Sequence, residues 1–181
     1  MVTGLQRNGA KANVGTGEVA SSDELVDQAT EDVAILDRYL YSRISHYLIP
    51  DWETFDDSLK LFKATQAGFT LSSVIEMVNA VEVFRNHDVL GRIFGMSLRT
   101  LTRRMRNTDE RLTPEQSARA LYFAQTLEKA ISIFGGRMAA EEWLAEPAIG
   151  LDWEKPIDLL INSIGYEVVT DYLTRIEYGV Y

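Results

Sequence analysis

Residues 113–136 constrain the fold more than any other stretch of this chain. Thr113-Pro114-Glu115-Gln116 sets a threonine cap, a proline at the first helical position and a glutamine three residues after the cap, the signature of a helix start. Ala120, Phe123, Ala124, Leu127, Ala130, Ile131 and Phe134 then recur at spacings of three and four. That is one face of a helix of about 20 residues, which Gly135-Gly136 ends. A long helix with one apolar face must be covered by other elements.

The rest of the chain supplies helices to cover it. Ser21-Ser22-Asp23-Glu24 offers a second capping box. Leu25, Ala29, Val33, Leu36, Tyr39, Leu40, Ile44, Tyr47 and Leu48 follow as one apolar stripe on an acidic helix that ends before Pro50. Further helices are expected over 55–67 and 71–84, separated by Gly68, then over 86–94 and 98–106 around a turn at Gly95-Met96-Ser97. Ser97 is placed as the N-cap of the last of these. After residue 136 the pattern gives a helix over 137–145, a loop to Lys155, a helix opened by Pro156, and a final helix after Gly165 running towards Tyr178. No stretch alternates at the period of a β-strand, so the fold class is all-α, a multi-helix bundle. A hydrophobic content of 46% is enough for its core.

Composition narrows the setting. No run of 18 apolar residues predicts a membrane span, and the N-terminus lacks the apolar core of a secretion signal. With no cysteine there is no disulfide or thiolate metal site, which agrees with a cytoplasmic location. The net charge of −9 is unevenly distributed. Residues 23–57 hold ten acids against two bases and residues 112–181 eleven against five, whereas residues 92–111 hold six arginines against two acids. A locally basic surface is all that nucleic acid requires.

That basic segment reads as a helix-turn-helix. Val89, Leu90, Ile93 and Phe94 form the apolar face of the first helix, and Leu98, Leu101 and Met105 that of the second. Arg99, Thr100, Arg103, Arg104 and Arg106 fall on the remaining faces, where arginine grips phosphate or guanine edges. Two helices meeting without DNA is the competing reading, with an acidic partner such as the arm at 23–48 neutralising the arginines.

The C-terminus is the second unusual feature. Chain ends are ordinarily polar and expendable. Arg175-Ile176-Glu177-Tyr178-Gly179-Val180-Tyr181 instead carries two tyrosines, two β-branched residues and a glycine hinge beside the free carboxylate. It is a segment suited to insertion into a partner, or else one that folds back on its own core. Catalysis finds no support. His46 and His87 stand on separate helices without ligand neighbours, no phosphate-cradling glycine loop is present, and no set of nucleophile, base and orienting group can be named. Neither a metal nor a cofactor is expected.

The ordered set Gly95, Ser97, Arg99-Thr100-Leu101, Arg103-Arg104, Arg111-Leu112, Ser117, Arg119-Ala120, Phe134-Gly135, Trp143-Leu144, Pro147, Pro156, Asp158-Leu159-Leu160, Gly165 and the closing Arg175 to Tyr181 resembles the Xre/ParS-type antitoxins. The likeness spans about 90–181, half the chain. Residues 1–50 stand apart from the family's plan, and Lys155 occupies a loop position where a small residue or glycine is more usual. Composition and helix pattern give a flexible tail at 1–20 and an acidic helical arm at 21–54; the resemblance implies a helix-turn-helix domain at 55–112 and a helical toxin-binding domain at 113–181. It also implies an antitoxin paired with a RES-domain toxin, one that degrades NAD or uses it for ADP-ribosylation. The tail would sit at the toxin's NAD pocket and the helix-turn-helix would repress the shared operon. Glu177 and the Tyr181 carboxylate would then offer anions to phosphate donors, and the rings of Tyr178 and Tyr181 would fill base-sized space. Trp143 reads as scaffold, while Trp52 and Trp153 fall in loops, where the sequence leaves packing at an interface undecided. A homodimer is expected, because helix-turn-helix readers match paired half-sites and the long apolar stripes exceed what a small body buries. The alternative is a stand-alone transcriptional regulator without a toxin partner; a helical adaptor is a third.

Overall fold

The computed structural model describes residues 43–50, 57–96, 101 and 110–180. The chain divides into two units, Met1–Asp37 and Arg38–Tyr181, and every described residue belongs to the second. The tail at 1–20, most of the acidic arm and Trp52 lie outside the described residues. Eight α-helices lie wholly within them: α1 Ser58–Ala67, α2 Leu71–Ala80, α3 Glu82–Asn86, α4 Val89–Phe94, α5 Pro114–Phe134, α6 Arg137–Ala145, α7 Pro156–Leu159 and α8 Ser163–Glu177. Among the described residues there is no strand, only an isolated antiparallel bridge between Thr70 and Arg111. None of the described helices is long and apolar enough to cross a membrane.

α5 packs against more elements than any other described helix, and its start forms as the sequence predicts. The Thr113 hydroxyl accepts from the Gln116 amide at 3.3 Å, and the Gln116 side chain accepts from the Thr113 amide at 3.1 Å. Gly135 ends the helix in the left-handed conformation at φ 74°. Ala120, Phe123, Ala124, Leu127 and Ala130 are fully buried, while Ile131 and Phe134 are half-buried. Phe123 meets Phe84 of α3 edge to face, with ring centroids 5.8 Å apart.

Four boundaries differ from expectation, each for a local reason. The helix expected over 71–84 breaks at Val81, which is extended (φ −117°, ψ 121°) and fully buried. Two side chains of α6 replace the interrupted backbone bonds. Arg137 donates to the Ala80 carbonyl at the end of α2, and Glu141 accepts from the Val83 amide at 2.8 Å at the start of α3. Those two side chains are themselves paired at 2.7 Å. The next helix starts at Val89 rather than 86, because Asp88 turns left-handed (φ 50°) and caps the Gly91 amide at 3.2 Å. The final helix begins before Gly165, capped by Asn162 through the Gly165 amide at 2.9 Å. Gly165 is therefore inside α8, and its lack of a Cβ serves a close approach, since a Cβ there would stand 2.8 Å from the Leu159 carbonyl carbon and closer to its oxygen.

The fourth difference concerns the end of the N-terminal stripe. Arg43 is non-helical (φ −99°, ψ 81°), and Ile44–Tyr47 is a short 3-10 turn instead of the last turn of an α-helix. Ile44 and Leu48 are nonetheless buried, and Tyr47 is exposed. The turn is tied to α5 by Glu128, whose Oε1 accepts from the Ser45 amide at 2.7 Å and the Ser45 hydroxyl at 2.6 Å. Burial pushes the Glu128 carboxyl above its ordinary value, against the lowering effect of the Ser45 bonds and the Arg43 charge.

Candidate functional site

The helix-turn-helix half is built from α2 to α4 and the start of α5. α4 buries Val89, Ile93 and Phe94, with Leu90 half-buried, and Gly95 ends it at φ 64° with its amide on the Gly91 carbonyl at 2.8 Å. Leu101, helical and fully buried, is the one described residue between 97 and 109, the stretch expected to hold the basic helix. Ser97, Leu98, Arg99, Thr100, Arg103, Arg104, Met105 and Arg106 lie outside the described residues. Beyond them, residues 110–112 are tied to the start of α2 through the bridge at Arg111. There the Leu71 amide donates to Glu110 O and the Leu112 amide to Phe69 O, both at 2.9 Å, and Arg111 Nη1 donates to Gly68 O at 2.6 Å. Gly68 is at φ 80°, and a Cβ there would collide with the Leu112 carbonyl.

The C-terminal half is built from α6 to α8 against the second part of α5. α8 buries Val169 and Leu173 and is fixed in register by polar contacts with α5. Lys129 donates to the Thr170 carbonyl at 3.0 Å and to the Thr174 hydroxyl. Tyr166 stacks on Tyr122 at 4.4 Å and donates its hydroxyl to Gln125 at 3.1 Å. Trp143 packs between Phe134 and Tyr172, with centroids 5.4 and 6.3 Å away, as its scaffold reading requires.

The opposite face of α8 is open. Ile164, Val168, Asp171, Arg175 and Tyr178 fall on one stripe at helical spacing, and Ile164 and Tyr178 are 73% and 75% exposed. Arg175 pairs with Asp171 at 3.2 Å and lies over the Tyr172 ring at 5.7 Å. Gly179 (φ 67°) ends the helix, with its own amide on Ile176 O at 3.1 Å and the Val180 amide on Arg175 O at 2.9 Å. That pair of bonds is a Schellman motif, so the glycine terminates α8 as well as freeing the backbone beyond it. Val180 is 60% exposed, Glu177 is exposed and Ile176 is half-buried. Of the closing seven residues only Tyr181 lies outside the described residues.

Sequence reasoning missed the apolar positions of this open face, Ile164 and Val168, because α8 carries apolar residues on both of its sides and periodicity alone does not say which side is covered. It left Trp153 undecided. That residue is 67% exposed at φ 65°, directly after Asp152 at φ 53°. Lys155, by contrast, is extended (φ −76°, ψ 129°) and places no demand for glycine.

The two halves have separate counterparts among known proteins. Residues 85–125 match the antitoxin Xre-like helix-turn-helix domain, and residues 129–179 match the antitoxin Xre/MbcA/ParS C-terminal toxin-binding domain. An antitoxin Xre from Yersinia enterocolitica is 34% identical over 126 residues, covering 69% of this chain and 79% of the relative. A second antitoxin Xre, from Photorhabdus laumondii, is 27% identical over 109 residues, covering 60% and 72%. The chain belongs to the Xre/ParS-type antitoxins of toxin–antitoxin systems, a helix-turn-helix domain followed by a C-terminal toxin-binding domain, and is not an enzyme.

Proposed function

We propose that this antitoxin neutralises a RES-domain toxin, one that consumes NAD or ADP-ribosylates a target, by placing Arg175 to Tyr181 at the toxin's active site. The observation that carries this reading is the exposure of the tail. Tyr178 and Val180 stand 75% and 60% exposed just past the end of a rigidly packed helix, in the region that matches the toxin-binding domain. Apolar and aromatic side chains left in water at a chain end find their stabilisation in a partner. Glu177 supplies negative charge of the kind that a dinucleotide pocket is built to receive. The helix-turn-helix half represses the shared operon as a homodimer, with Arg99, Thr100, Arg103, Arg104 and Arg106 on the DNA. The domain limits that go with this reading are a tail at 1–20, an arm at 21–54, the DNA-binding part at 55–112 and the toxin-binding part at 113–181.

Deletion of Tyr178 to Tyr181 tests the proposal. The truncated chain is expected to lose neutralisation in co-expression with the toxin of the same operon, while its melting temperature and operator binding stay near those of the full chain. Full protection by the truncated chain would refute tail occlusion.

A further inference from the structure

We propose that Trp153 is a second anchor for the toxin, presented by a loop that is held in its binding conformation before the partner arrives. This rests on the toxin-binding reading of the tail, and extends it to a surface that the tail does not include.

Two observations single out this residue. A bulky side chain at positive φ is a rare and strained arrangement, and here two non-glycine residues in succession, Asp152 and Trp153, adopt it. The strain does not bury the indole, which remains 67% exposed, and Ile149, four residues earlier in the same loop, is 72% exposed. A conformation that costs free energy and leaves a tryptophan in water serves neither the core nor the backbone. What holds it is a set of backbone bonds: Leu151 and Trp153 amides to Ala148 O, each at 3.0 Å, the Glu154 amide to Leu151 O at 3.0 Å, and the Ala148 amide to Glu154 O at 3.1 Å. Pre-organisation of this kind removes the ordering cost that a flexible loop would meet on association.

Position and charge identify the occupant. Gly150 lies against Tyr172 so closely that a Cβ there would stand 2.6 Å from Tyr172 Cζ. Tyr172 in turn carries the Arg175 guanidinium over its ring. The loop, Tyr172 and the tail are thus parts of one surface, with Gly179 about 10 Å along the axis from Tyr172. Asp152 and Glu154 are the sequence neighbours of Trp153, and both are exposed. The socket that fits is apolar with a cationic rim, and arginine or lysine there would also meet the face of the ring. A toxin site that receives an acidic tail has that polarity at its mouth.

The test uses Trp153→Gly in the full-length chain, titrated with the purified toxin of the same operon by calorimetry. Glycine relieves the positive φ, so the variant is expected to melt no lower than the parent, while its Kd for the toxin rises about 30-fold. An affinity within about twofold of the parent overturns the inference. If deletion of Tyr178 to Tyr181 abolishes binding in the same assay, the tail reading stands without it. If that deletion also leaves the affinity intact, the reading beneath both has failed. A lowered melting temperature with Trp153→Gly would make the indole a fold element and equally overturn the proposal.

Discussion

Glu141 is expected to be worth more to stability than a surface carboxylate of its size. Its Oε2 accepts from the Val83 amide at 2.8 Å and its Oε1 from Arg137 Nε at 2.7 Å, with the Glu141 side chain only 15% exposed. Val81, the residue before α3, makes no side-chain cap, so this carboxylate from α6 is the cap of a helix 58 residues earlier in the chain. Glu141→Ala removes a charge-assisted bond to a buried amide, which costs about 1.5–3 kcal/mol. It also frees Arg137 from its partner, at 28% exposure, worth up to about 1 kcal/mol more. The sum is about 2–4 kcal/mol, and at ~2–4 °C per kcal/mol for a chain of this size a loss near 3 kcal/mol lowers the melting temperature by about 6–12 °C. Glu141→Gln keeps an acceptor for Val83 and should cost about 1 kcal/mol. Thermal melts followed by circular dichroism give the numbers, and a double-mutant cycle with Arg137→Ala gives the coupling. A Glu141→Ala variant within 0.5 kcal/mol of the parent, or an uncoupled cycle, would refute the claim that these two side chains splice α2 to α3.

Two further outcomes follow from single positions. Gly165→Ala, which in an ordinary helix interior gains about 0.5–1 kcal/mol, should instead destabilise by about 1–3 kcal/mol, because its methyl group meets the Leu159 backbone and not a flexible side chain; a rise in melting temperature would count against that contact. Glu128, whose folded-state carboxyl lies above the usual 4.5, contributes stability that is complete below that pH and is lost as pH rises through the folded value. Glu128→Gln abolishes this titration, so its melting temperature relative to the parent should climb from pH 4.5 upward; a difference independent of pH would show that burial is not what governs the group.

Elements defined by adjacent residues were legible in the sequence. Thr113, Pro114 and Gln116 announce α5 because all the atoms of the capping box lie within four residues, and Gly135 and Gly95 announce helix ends because a left-handed residue is a local requirement. The break at Val81 was not legible, since the groups that stabilise it, Arg137 and Glu141, are more than 50 residues away and a run of β-branched and acidic residues reads equally well as continuous helix. Gly165 misled for a related reason. Sequence shows a missing Cβ but not the carbonyl that needs the space. At the candidate site the closing residues could be singled out by composition alone. The open stripe of Ile164 and Val168 and the strained Asp152-Trp153 pair depend on which faces are covered, and that is settled by packing.

The two matched regions meet inside a single helix. The helix-turn-helix match stops at 125 and the toxin-binding match starts at 129, yet α5 runs unbroken from Pro114 to Phe134. Side chains reinforce the continuity on its flanks: Arg119 of α5 donates to Arg92 O in α4 at 3.2 Å, and Arg92 pairs with Asp158 of α7 at 2.7 Å. Lys129 carries the connection on to α8 through Thr170. A domain boundary ordinarily falls in an exposed, poorly contacted linker. Here it falls inside α5, which buries eight of its residues, so no linker separates the helix-turn-helix match from the toxin-binding match. On the proposed reading, a toxin held by the tail would be carried on the same unbroken helix that begins in the helix-turn-helix match. Whether two such complexes fit on neighbouring half-sites becomes a question of steric geometry, decided by the length and direction of α5.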